Sequence, residues 1–167
     1  MPSVSASSVG LESTPKSMRG TWYHWHPKTA YSKGTVYKNV VFKKMWSTDE
    51  QGYSQINVWR TKYKGKIGFR IGGAASEIQE QNVLTKVKIK DKYHKVMVSY
   101  LTDQRGDYGE IHYNFRSKSL AKQYDKKHQL SYDDYDTGQN TPKVKKQMKK
   151  VIVKYFGEKW LLFMNEH

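Results

Sequence analysis

The chain has no cysteine in its 167 residues, which excludes disulfide scaffolds, thiolate catalysis, iron–sulfur clusters and cysteine-ligated zinc. It is short of acid: 15 Asp and Glu stand against 30 Lys and Arg, a formal net charge of +15. It is short of arginine too, since only Arg19, Arg60, Arg70, Arg105 and Arg116 interrupt the lysines. Proteins that read nucleic-acid sequence lean on Arg, whose planar fork pairs with guanine edges and phosphates. A lysine field attracts polyanions without reading them. Sequence-specific nucleic acid is therefore not an expected partner, whereas anionic lipid headgroups, cell-wall phosphate polymers and nucleic acid at large would all be drawn. The plainer reading of the same surface is solubility by repulsion. No apolar run approaches the ~20 residues of a membrane span. No Gly-x-Ser-x-Gly elbow, Walker loop, His-Glu-x-x-His or dinucleotide fingerprint occurs, so neither an enzyme nor a cofactor is expected.

Aromatic residues are what the chain has in quantity, with 13 Tyr, 5 Trp and 5 Phe, and they carry much of its capacity for burial. A chain of this length buries roughly 70% of its unfolded surface and needs no staple. Residues 1–17 are small, polar and aperiodic and read as a flexible leader; a single domain is expected over 18–167. The leader has neither a basic n-region nor an apolar h-region. Export is therefore expected with the signal already removed, the protein being secreted or held at the cell surface. A cytoplasmic protein with a loose start is the alternative.

From Met18 onward, short β segments alternate with turns. Strands are expected at Arg19–His26, Thr35–Met45, Tyr53–Thr61, Lys66–Ile71, Val83–Lys90, Tyr93–Tyr100 and Glu110–Arg116. Val87-Lys88-Ile89-Lys90 swaps apolar and cationic residues at every step, the pattern of a half-buried hairpin with lysines facing water. Ser119–His128 predicts a short helix with Leu120, Ala121 and Tyr124 on one side. Thr141–Gly157 predicts a longer one, with Thr141 at the N-cap, Pro142 at the first helical position and Gly157 at the C-cap. Its apolar stripe is Val144, Met148, Val151, Ile152, Tyr155 and Phe156, and lysines including Lys145 fill the other faces. Lys159–Met164 reads as a closing strand. Together these segments predict a mostly β fold: an antiparallel up-and-down barrel of seven or eight strands with one C-terminal helix outside. The alternative is a two-sheet β-sandwich.

Gly20-Thr21-Trp22-Tyr23 is the most informative short motif. Gly20 lets the backbone bend while Trp22 plugs one end of a small barrel. The motif resembles the first conserved motif of the lipocalin family, in which this tryptophan closes the barrel floor. That resemblance implies a lumen for a small apolar or amphipathic ligand and an arginine late in the chain over the tryptophan. Arg116 is the last arginine, so none is expected in that place. With Arg19, the motif is also similar to the Arg-Gly-Thr-Trp opening of small lysine-rich exported proteins of lactic-acid bacteria.

Other candidates are weaker. His24 and His26 share a strand face and could begin a zinc site, but no third ligand is near in sequence and no metal is expected. Asp133, Asp134 and Asp136 form an acidic knot whose spacing does not fit a calcium loop; pairing with nearby lysines, or placement before the helix, suits it better. Asp107 and Glu110 are a carboxylate pair that would have to meet in space. Lys143, Lys146 and Lys150 are the helix positions best placed to touch a polyanion. The function expected from all this is an exported, non-enzymatic binding protein for a small apolar or amphipathic ligand. The alternative is a lysine-rich surface protein that holds wall polymer, polysaccharide or another polyanion.

Overall fold

The computed structural model describes residues 12–26, 31–38, 41–43, 56–73, 78–103, 105–136 and 141–164. The fold is mostly β. Six strands run up and down in sequence order as one antiparallel sheet: β4 (Ile56–Tyr63), β5 (Lys66–Gly73), β6 (Ile78–Ile89), β7 (Lys92–Asp103), β8 (Tyr108–Asn114) and β9 (Leu130–Asp133). Three earlier strands, β1 (Gly20–His24), β2 (Ser32–Val36) and β3 (Val41–Lys43), form a small antiparallel sheet. The turns fix the hairpins. Lys64 and Gly65 join β4 to β5 at φ 49° and 78°, and Lys90 and Asp91 join β6 to β7 at 49° and 69°. Two successive left-handed residues give the type I′ turn, whose twist matches that of the strands it connects.

Each face of the large sheet is buried against a different element. On one face Val96, Val98, Tyr100, Ile111, Tyr113 and Tyr132 pack against α2 (Thr141–Tyr155) through Met148, Ile152, Tyr155 and the following Phe156. On the other face Val58, Phe69 and Met97 share a second core with Met18, Trp22 and Val36. The small sheet therefore lies against the face opposite the helix. Between β8 and β9 the chain forms α1, which runs as Lys118–Leu120, a π-helical turn Ala121–Asp125 and Lys126–His128. Ser117 caps it by accepting the Leu120 N–H at 3.1 Å.

The expected barrel is not closed. Among the described residues no ladder joins β3 to β4, and the two sheets meet edge to edge only at the bridge Tyr23↔Phe115. β9 takes the rest of that edge, pairing from Tyr108↔Asp133 to Ile111↔Leu130. On the far side the gap is spanned by the segment just before β1. Glu12 donates its N–H to Val58 O at 3.1 Å, and the Thr14 hydroxyl donates to Lys38 O at 2.8 Å. Of the leader expected over 1–17, residues 1–11 lie outside the described residues. Residues 12–17 hold this seam, with Thr14 fully buried.

Three further expectations change. The strand expected at Thr35–Met45 folds back on itself, with Val36 paired to Val41. The closing strand expected at Lys159–Met164 is a 3-10 helix, Glu158–Phe163. Its N–H groups are satisfied locally, Trp160 by Gly157 O at 3.1 Å and Met164 by Leu161 O at 3.0 Å, so it needs no sheet edge. Lys145 does not join the outer face of α2: it is 4 % exposed and its ammonium lies 2.9 Å from Asp134. The acidic knot thus pairs with a helix lysine.

Candidate functional site

The Gly20–Trp22 motif is explained by a residue almost a hundred positions later. Trp22 is 2 % exposed and its indole N–H donates to Met18 O at 2.9 Å. The guanidinium of Arg116 lies over that indole, its carbon 3.7 Å from the ring centroid. The same guanidinium donates to Thr21 O at 3.1 Å, Arg19 O at 2.7 Å and Ser17 O at 3.3 Å. One planar fork therefore ties the start of β1 to the end of β8 by a cation–π contact and three carbonyl bonds. Gly20 makes room for it: φ is +105°, and a Cβ there would sit 2.9 Å from Arg116 Nη1. The expectation that no arginine covers Trp22 is thus corrected. Sequence distance hid the contact, because pairing of β1 with the strand end at Phe115 delivers Arg116 to the motif.

Beside this end, the seam between the sheets opens as a cleft of about 690 Å³. Residues 15–17 line one side and the β4–β5 hairpin the other. Lys16, Arg60 and Lys62 supply charge, Ser17 and Thr61 hydroxyls, and Pro15 and Ile67 apolar surface; none of the described lining residues is a carboxylate. Arg60 is oriented by donating to Ser13 O at 2.7 Å and Ser13 Oγ at 3.0 Å.

Further along the inner face, a row of polar side chains crosses β6, β7, β8 and β1. Ser99 Oγ donates to Asn82 Oδ1 at 2.6 Å, and Asn82 Nδ2 donates to Glu80 at 2.9 Å. Asn114 Nδ2 donates to Ser99 Oγ at 2.9 Å and to Met97 O at 2.7 Å, while its Oδ1 meets His24 Nδ1 at 3.3 Å. The His24 and His112 rings lie against each other with centroids 4.1 Å apart and planes tilted by 32°. His112 then ends the row between two carboxylates, with Nε2 3.1 Å from Glu110 and Nδ1 3.4 Å from Asp125. Asp125 is fully buried and also accepts the N–H of Trp25 and of Tyr113, each at 2.7 Å.

Burial pulls the His112 imidazolium down, but the bonds and charges of Asp125 and Glu110 outweigh it and hold the pKa up at about 9. His112 is therefore charged at neutral pH with both nitrogens donating. That arrangement orders α1 against β8 and leaves no basic nitrogen to accept a proton. Ser99 donates to Asn82 and accepts from Asn114.

The other sequence candidates fall apart in space. Among the described residues no three His, Asp or Glu side chains are grouped to hold a metal ion. His24 is engaged with Asn114 and His112, and His26 lies beyond the strand. Asp107 accepts from Tyr135 OH at 3.3 Å, whereas Glu110 belongs to His112, so the two carboxylates serve different partners. Lys143, Lys146 and Lys150 are exposed on α2. Among the described residues no helix is long and apolar enough to cross a membrane. Sequence reading missed the cluster of Glu110, His112, Asn114 and Asp125. The alternation of Glu110, His112 and Asn114 with Ile111 and Tyr113 reads as a half-buried strand with its polar face in water, so the sequence carried no signal that this face is buried as well. Comparison with protein families, with curated proteins and with solved structures finds no match for this chain.

Proposed function

We propose that the chain is an exported, non-enzymatic binding protein of lipocalin-like build, which takes a small amphipathic molecule with an acidic head at the seam cleft. The observation that carries this reading is the cleft itself. Its volume, about 690 Å³, lies within the roughly 300–1,000 Å³ of small-molecule sites. Its described lining residues offer three cations, two hydroxyls and apolar surface, and none of them is a carboxylate. The Gly20–Trp22 motif and Arg116 support the lipocalin-like comparison, because they close one end of the sheet as that family's tryptophan would. Tryptophan quenching by a medium-chain fatty acid at low salt tests the proposal. Saturable quenching is expected, weakened at least fivefold in K16A/R60A, whose fold is checked by circular dichroism. Absence of saturable quenching, or equal quenching by the double variant, defeats it.

A second reading is favoured by one observation: Lys143, Lys146 and Lys150 are exposed along α2, a cationic strip suited to a wall polymer or another polyanion. Retention on heparin or wall-polymer resin should then fall steeply with salt. It should also drop in the triple alanine variant by more than in a variant losing three other exposed lysines.

A further inference from the structure

On the helix side of the large sheet, Gln81 of β6 stands opposite Tyr100 of β7 and is 4 % exposed. Its carboxamide nitrogen is buried and has no hydrogen-bond partner among the described residues. Buried N–H groups are nearly always paired, so an orphan in a polar niche calls for an acceptor from outside the chain. Gln81 lines a cavity of about 80 Å³ between the β4–β5 hairpin and the end of α2. Tyr63, Tyr155, Phe156 and Trp160 wall it and Lys62, Lys66 and Lys159 bring charge, with no carboxylate among the described lining residues; Thr61 and Lys62 border the seam cleft as well. Gly157 lets these walls close up: at φ +105° it carries no Cβ, and one placed there would sit 3.2 Å from the Tyr63 ring. A water needs about 10–15 Å³ of such space, so the cavity holds several waters or one short organic molecule.

The geometry points to a second binding site here, for a short organic carboxylate. One carboxylate oxygen accepts from Gln81 Nε2, the lysines neutralise the charge, and the hydrocarbon part lies against the aromatic walls. The site is on the opposite face of β4–β5 from the inner core, and its defining residues Gln81 and Trp160 do not line the seam cleft. A fatty acid at the cleft and a short acid at this cavity are therefore separable.

Titration with butyrate, followed by the side-chain amide resonance of Gln81 and the indole resonance of Trp160 in proton–nitrogen spectra, tests the assignment. Both resonances are expected to shift saturably with butyrate and at least tenfold more weakly with neutral butyramide. Q81M should lower the butyrate affinity at least tenfold while its melting temperature holds or rises, since the orphan N–H is gone. R60A should leave the titration unchanged. If the Gln81 resonance does not move, if Q81M binds equally, or if butyramide binds as well as butyrate, the assignment of a carboxylate site at Gln81 is wrong.

Discussion

Stability should fall as pH rises from about 6.5 to 9, and His112 is the reason. Its folded pKa is raised from 6.5 to about 9 by Asp125 and Glu110, against the pull of burial. A group with a raised folded pKa gives its full stabilisation below the unfolded value and loses it as pH climbs through the folded one. At about 1.4 kcal/mol for each tenfold change in proton affinity, the loss amounts to about 3 kcal/mol across that window. Self-repulsion works in the other direction, because raising pH lowers the large positive charge and relaxes the compact state. The two effects therefore predict opposite slopes. Urea denaturation followed by tryptophan fluorescence at intervals from pH 6 to 9 gives the slope. Subtracting the same series for H112Q removes the other histidines. H112Q should be less stable than the parent at pH 6, because two carboxylates lose their cation, and the gap should shrink towards pH 9. A gap that stays constant or widens with pH would refute the reasoning, as would direct titration of the His112 ring near 6.5.

Other perturbations probe the same framework. R116K keeps the charge but loses the flat fork over Trp22 and most of the three carbonyl bonds; denaturation should show a loss of about 1–2 kcal/mol. G20A places a Cβ 2.9 Å from Arg116 Nη1 at φ +105°, and thermal melts should show it less stable by about 1–3 kcal/mol. In R116A the steric part of that cost should vanish and the backbone part remain. D134A removes the carboxylate 2.9 Å from the buried Lys145 ammonium. Denaturation should register a loss of about 2 kcal/mol, below the usual cost of a fully buried pair because Asp134 is partly exposed, with K145M/D134A recovering much of it.

The cluster around His112 explains how a short helical excursion is fixed to the strand that precedes it and to the segment after β1. Asp125 sits at the end of a π-helical turn and reaches His112 of β8, the Tyr113 N–H and the Trp25 N–H after β1. One carboxylate thus joins α1, β8 and the small sheet. Removing Asp125 takes the acceptor from the Tyr113 and Trp25 N–H groups and leaves the His112 imidazolium with Glu110 as its carboxylate partner.

Local signals made much of this architecture legible. The Val87–Lys90 alternation marked β6, and Thr141, Pro142 and Gly157 bounded α2, because period and caps are written in neighbouring residues. Trp22 and Gly20 were legible as a structural pair for the same reason. β9 was not, since Leu130–Asp133 is four residues long with a single fully buried side chain. The closing segment misled because an apolar run fits a 3-10 turn packed on a helix end as well as a strand.

What the sequence by itself determined was the mostly β character, the hairpins and the amphipathic helix, all of which depend on spacings of a few residues. Tertiary structure alone decided that the sheets meet at Tyr23 and Phe115, that Arg116 covers Trp22, that Lys145 turns inward and that His112 lies between Glu110 and Asp125. Those outcomes depend on strand register and on groups up to about a hundred positions apart. No local pattern encodes which partner a buried charge will find; only the packed chain brings the two together and removes the water that would otherwise satisfy them.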